Sequence, residues 1–204
     1  MNRRALIAAL PILAAGCSIL PDRPNVPVRR YPLTPRRPET RSAAPRAPVL
    51  LVRRVRAVPG LQDVGLRRLR PDGSYEILTY EEWLAPPSDL ADSALRAWLQ
   101  ASGLFTAVIP QGSRADADLV LEMQLTVLEA VPSAGQARAA LSGLLLREER
   151  LASRVIETLE AGAVAPLAPD AEAPAMAQAM AMALGLAMGR LEQALAPMVG
   201  AGFR

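Results

Sequence analysis

Cys17 is the only thiol in this chain of 204 residues, and with no histidine anywhere there is no imidazole to activate it. The same absence removes a Ser-His-Asp or Cys-His nucleophile and any imidazole-ligated metal. A single cysteine excludes an intrachain disulfide and any multi-thiolate zinc or iron–sulfur site. All 23 basic residues are arginine, so a Ser-x-x-Lys pair cannot exist, and no Gly-x-Ser-x-Gly elbow occurs either. The neighbouring carboxylates Glu81-Glu82 and Glu148-Glu149 do not suggest a general acid–base pair, because adjacent side chains on a strand point to opposite faces. Pro59-Gly60 and Asp72-Gly73 read as turns rather than as a loop that cradles phosphate. The expectation is a non-enzymatic protein with no catalytic residue, no metal and no cofactor.

What Cys17 can do is accept lipid. Asn2-Arg3-Arg4 is a short positive segment, and Ala5 through Ala15 is an apolar run too short to span a bilayer, which takes about 20 residues. It ends in Leu13-Ala14-Ala15-Gly16-Cys17, small residues that a signal peptidase accepts before a cleavage point. The string resembles the bacterial lipobox, in which the cysteine is acylated and becomes the new N-terminus. Residues 1–16 are thus expected to be a lipoprotein signal peptide and Cys17 the lipid attachment, with palmitate-type acyl chains. Each buried CH₂ contributes about 0.8 kcal/mol, and stable anchoring takes more than one chain, a condition that a triacylated cysteine meets. Ser18 stands where an Asp would mean inner-membrane retention in many Gram-negative lipoproteins. By that resemblance the protein is expected on the outer membrane, facing the periplasm.

The net charge of +3 is unevenly placed. Residues 1–60 hold twelve arginines against Asp22 and Glu39, and the remainder is acidic. Aromatic residues are few and not interleaved with the basic ones, so a nucleic-acid partner is not expected. Residues 17–47 read as a lipidated N-terminus and a Pro/Arg-rich linker, extended and PPII-like because proline fixes φ and removes a donor. A spacer between anchor and domain is the plain reading, and arginines held against anionic head groups the sharper one. A possible edge strand lies at 28–33.

The elements that must follow belong to one α+β domain over 48–204, a mostly antiparallel sheet packed with two main helices. Val49–Val58 reads as a strand, and Val64–Arg70 and Tyr75–Tyr80 as a hairpin around Pro71-Asp72-Gly73-Ser74. A helix follows Pro86-Pro87, with Ser88 as cap, Leu90, Ala94, Trp98 and Ala101 as one face, Leu95 and Leu99 beside it, and Asp92 opposite. Leu104–Ile109 is a short strand. In the long strand from Asp118 to Val131, Leu119, Leu121, Met123, Leu125 and Val127 alternate with more polar residues. Residues 136–160 suit either a helix or two strands turning near Arg147–Arg150. From Pro174 to Leu195 a helix carries Met176, Met180, Leu184, Ala187, Leu191 and Leu195 on one stripe, with Met182, Gly185, Leu186 and Gly189 facing elsewhere. Between Ala175 and Gly189 its only polar side chain is Gln178. Trp83, beside Tyr80, is either a partner contact or a core plug. The second face of the last helix is core, a lipid groove, or a meeting place for another copy with close approach at Gly185 and Gly189.

The order of these segments resembles the ABC-type transport auxiliary lipoproteins (the PqiC/YmbA-like family). The residues that carry the likeness are the lipobox ending at Cys17, Tyr31-Pro32-Leu33, and Val49–Val58 followed by Gly60-Leu61. Further on they are Tyr80 to Pro86 before the helix, Gly103-Leu104-Phe105, and Ala117-Asp118-Leu119 opening the long strand. Leu119 and Leu195-Ala196-Pro197 depart from the aromatic residues frequent there in the family. The resemblance implies that 136–160 is a β-hairpin. It also implies a non-catalytic envelope lipoprotein working with an ABC permease and ATPase and an MCE-type substrate-binding protein to move lipids between inner and outer membranes. An assembly factor or a lipid-binding carrier not tied to an ABC transporter is the alternative.

Overall fold

Residues 26–44, 46–149 and 152–202 are described by a computed structural model. In chain order the elements are β1 (Arg29–Tyr31), β2 (Val49–Val52), β3 (Arg56–Ala57), β4 (Gly65–Leu69), β5 (Tyr75–Trp83), α1 (Pro87–Gln100), β6 (Ala107–Pro110), β7 (Leu119–Val131), β8 (Gln136–Glu148), β9 (Ser153–Pro166) and α2 (Ala173–Gly202). They form a single α+β domain in which one nine-stranded mixed sheet and the buried sides of both helices share a hydrophobic cluster. The long ladders, β7 with β8, β8 with β9 and β4 with β5, are antiparallel. The short ones are parallel: β1 with β5, β6 with β2, and β2, β3 and β4 with β7.

β7 is the centre of this arrangement. One of its edges is covered along its whole length by β8. The other is covered end to end by three short pieces: β2 pairs at Leu119–Leu121, β3 at Gln124 and Leu125, and β4 at Ala130. The strand expected over Val49–Val58 is therefore interrupted. Between β2 and β3, Arg53 N–H still donates to the Leu121 carbonyl (2.9 Å), while Val55 N–H donates instead to the Asp92 carboxylate (3.1 Å). This also corrects the expected solvent position of Asp92. It is buried at the start of α1, where it pairs with Arg96 at 2.8 Å. The core face of α1 is Ala91, Leu95, Trp98 and Leu99, turned from the expected Leu90/Ala94 stripe, both of which are half-buried. Ser88 is not the cap: Pro87 opens the helix, where its missing N–H costs nothing, and Ser88 lies in the first turn.

Leu119, Leu121, Met123 and Leu125 are buried as the alternation predicts. Val127 is not their continuation. The β7–β8 register shifts between Leu125 and Val127, so an extra residue reverses the faces and Leu128 and Ala130 become the core positions. Residues 136–160 are a hairpin, with β8 and β9 paired from Gln136–Pro166 to Glu148–Ser153. Gly143 sits where β8 crosses Met123; a Cβ there would run into the Glu122 carbonyl oxygen and come within 2.7 Å of the Met123 sulfur. The expected stripe of the last helix is buried throughout, and the helix runs past Leu195 to Gly202 with Pro197 inside it.

Leu121 and Leu125 are both 0% exposed. Leu121→Asp or Leu125→Asp should therefore abolish cooperative folding, since an unpaired buried carboxylate costs several kcal/mol out of a total of ~5–15 kcal/mol. Val127→Asp, on the half-buried side of the bulge, should be much milder. Thermal melts of the three variants check the register, and equal losses at 125 and 127 would refute it.

Candidate functional site

The N-terminal segment after β1 is extended, as its prolines require, but it does not stand off the domain as a spacer. Leu33 is buried in the core, Pro35 packs over Gly185 of α2, and Arg41 N–H donates to the Ala101 carbonyl at the end of α1 (2.9 Å). Gly103, with φ +77, lets this strap through: a Cβ there would lie 2.8 Å from the Ser42 carbonyl oxygen. The central fastening is Arg37. Its Nη2 donates to Glu192 Oε1 at 2.6 Å, Trp98 Nε1 donates to Glu192 Oε2 at 2.8 Å, and the guanidinium lies 5.8 Å from the centroid of the Trp98 ring. Both charged side chains are mostly buried, at 12% and 16% exposure, so each depends on the other for solvation.

β1 is clipped to β5 by side chains that sort by face. Glu81 accepts from Arg29 and from the Tyr31 hydroxyl (2.6 Å), while Glu82 takes Arg30 on the other side (3.3 Å). The two adjacent carboxylates thus hold separate ion pairs. A bulge in β5 makes this possible. Gly65 pairs with Glu82 but Arg67 with Ile77, and Tyr80 within the extra residues takes φ +64, a strained value for a non-glycine. Burial, and then the hydrogen bond to the Glu81 carboxylate, raise the Tyr31 phenol above its ordinary value of 10.0.

Between strap and α2 lies a cavity of about 630 Å³. Thr34, Arg36 and Pro38 form one wall; Met182, Leu186 and Arg190, one helical turn apart, form the other. Ala181, Gly185, Gly189 and the Trp98 ring make the floor. Of the residues singled out by sequence, Met182 and Leu186 are 50% and 49% exposed at this cavity. Gly185 and Gly189 are in it too, but they are not an open notch for another chain: Pro35 lies 3.3 Å from where a Gly185 Cβ would be, and Trp98 3.8 Å from that of Gly189. Trp83 is not a surface contact. At 2% exposure it is core, turned inward by the β5 bulge. Cys17 lies outside the described residues. Arg37, Glu192, Trp98 and Arg36 were not singled out as site residues. The signal for them was faint, namely that Arg190 and Glu192 are the only charges in α2.

Among the described residues no cluster of acidic, thiol or imidazole groups is arranged to hold a metal, and no helix is long and apolar enough to cross a membrane. What this geometry offers is binding surface: a sheet-backed apolar helix under a strap, with the nearby carboxylates held in ion pairs. The chain belongs to the ABC-type transport auxiliary lipoprotein component family, whose family model matches residues 31–190. Protein XCC0632 from Xanthomonas campestris, of the DUF330 family, has the same fold at 22% identity, with a TM-score of 0.63 over 86% of this chain and 94% of that one. The crystal structure of an uncharacterized protein does so at 17% identity, with a TM-score of 0.59 over 83% and 99%. No curated protein matches the chain.

Glu192→Ala would leave Arg37 without its partner in a site more buried than a surface pair, at a cost of about 1–3 kcal/mol. The strap should loosen before the domain melts, so trypsin should cut after Arg36 and Arg41 at least tenfold faster. Unchanged cutting would show that Glu192 does not hold the strap.

A raised Tyr31 pKa means that the neutral phenol is favoured in the fold, so its stabilisation is complete below the ordinary value and is lost as pH rises through the raised one. One of the three tyrosines should therefore ionise late in an ultraviolet titration. Tyr31→Phe should remove that late component; if it does not, Tyr31 is not the half-buried phenol that faces Glu81.

Proposed function

We propose that this protein is a non-catalytic envelope lipoprotein, held through acylated Cys17 on the periplasmic face of the outer membrane, that serves as the auxiliary component of an ABC/MCE-type transporter moving lipids between the two membranes. The observation that carries the reading is the match to the auxiliary-lipoprotein family over residues 31–190, preceded by Leu13-Ala14-Ala15-Gly16-Cys17 at the spacing a lipid attachment requires. Ser18 supports outer-membrane residence. The strap supports a partner role. It ties the polypeptide that follows β1 directly to both helices through Arg37 and Arg41, so residues 32–44 belong to the body and only the residues before Val26 are left to link it to Cys17. The partners in this reading are the membrane, an MCE-type substrate-binding protein and the ABC permease and ATPase, with a second copy of the chain as a further partner.

Cys17→Ser should abolish incorporation of a fatty-acid analogue during growth and leave an uncleaved or unanchored species, since no other side chain can take the thioether lipid. Incorporation persisting in the variant would sink the anchor. The native protein should fractionate with the outer membrane on a density gradient; co-migration with the inner membrane would refute the placement. Chemical cross-linking in cells should join the protein to an MCE-domain protein or permease, and cross-links only to unrelated envelope proteins would remove the transporter role.

A further inference from the structure

We propose that the cavity between the strap and α2 is a binding site for one acyl chain of an anionic lipid, with the hydrocarbon on the helix and the acidic head group between Arg36 and Arg190. The volume of about 630 Å³ lies within the ~300–1,000 Å³ of small-ligand sites. The apolar part is built for an irregular hydrocarbon. Ala181 and Gly185 leave the floor low, the Trp98 ring lies in it, and Met182 and Leu186 stand half in water one turn apart beside it, a continuous apolar strip that a hydrocarbon chain would cover.

Charge selects the occupant. Of the sixteen residues that line the cavity the only charged ones are Arg36 and Arg190, with no carboxylate among them. Glu192, the nearest acid along the helix, is already engaged by Arg37 and Trp98. Among the described residues Arg36 is exposed and meets no carboxylate, and the one hydrogen bond of Arg190 goes to the Gly162 carbonyl, which leaves its charge unmatched. A two-fold contact between copies through this face would set like charges against each other. The chain's own segment between Cys17 and Val26 carries one Arg23 against one Asp22, so it supplies no net negative charge either. A fatty acid or acidic phospholipid supplies both the hydrocarbon and the missing negative charge. The site needs no transporter partner, so its failure would leave the auxiliary role standing.

The test uses the full-length protein in phosphatidylcholine vesicles, photolabelled with a palmitate analogue bearing a diazirine in its chain, or with the methyl ester of that analogue at the same mole fraction. Adducts should map to peptides covering 31–38 and 174–190, with the acid labelling at least tenfold more than the ester. Met182→Glu with Leu186→Glu should cut labelling at least tenfold, and Arg36→Glu with Arg190→Glu should remove the preference for the acid. Glu192→Ala, which frees one wall, should also lower labelling, whereas a helix face that merely rests on the membrane would be labelled as much or more. Equal labelling by acid and ester, adducts spread over the surface, or labelling indifferent to these substitutions would overturn the site. So would cross-links through α2 to a second copy or to residues 17–25.

Discussion

The surface of α2 constrains everything around it. From Ala175 to Gly189 its only polar side chain is Gln178, so the helix has almost no side to turn toward water, and covering it needs more than one neighbour. β7, β8 and β9 take the stripe through Met176, Met180, Leu184 and Leu191. Trp98 of α1 lies over Gly189, and Pro35 of the strap over Gly185. Small residues at these two positions are what allow a ring and a proline to come so close. The strap is thus a consequence of the last helix, and the ion pair that fastens it uses the only acidic residue that helix has.

The same constraint links packing to function. Cover by sheet, α1 and strap stops short of Met182 and Leu186, and the shortfall is the cavity. Elsewhere the charged groups are tied in place: Glu81 by Arg29 and Tyr31, Asp92 by Arg96 and the Val55 amide, Glu192 by Arg37 and Trp98. Such pairs orient elements, and they suit a family that assists a transporter. The sheet is arranged to the same end. β7 has both edges covered, one by a long antiparallel partner and the other by three short parallel pieces, so residues 49–69 can follow it and still leave room for β5 to reach β1. Through β1 the N-terminal part of the described chain joins the sheet before it crosses the helices.

Several features were legible in the residues alone because their causes are local. The turn at Pro71–Gly73, the alternation from Leu119 to Leu125 and the buried stripe of α2 each depend on neighbours a few positions away. The region 136–160 was legible only through family resemblance. Its Ala, Leu, Arg and Glu suit a helix as well as a strand, and what decides is the free edge of β7, a partner far away in sequence. The bulges at Thr126 and Tyr80, the burial of Asp92 and the inward turn of Trp83 were decided by tertiary structure, because each answers a hydrogen-bond or pairing demand made by a distant strand. The strap is the clearest case. Proline and arginine determine that residues 32–44 are extended and rich in donors, but whether they lie on water or on protein depends on Glu192, Trp98 and Gly185, which come together only once both helices are seated on the sheet.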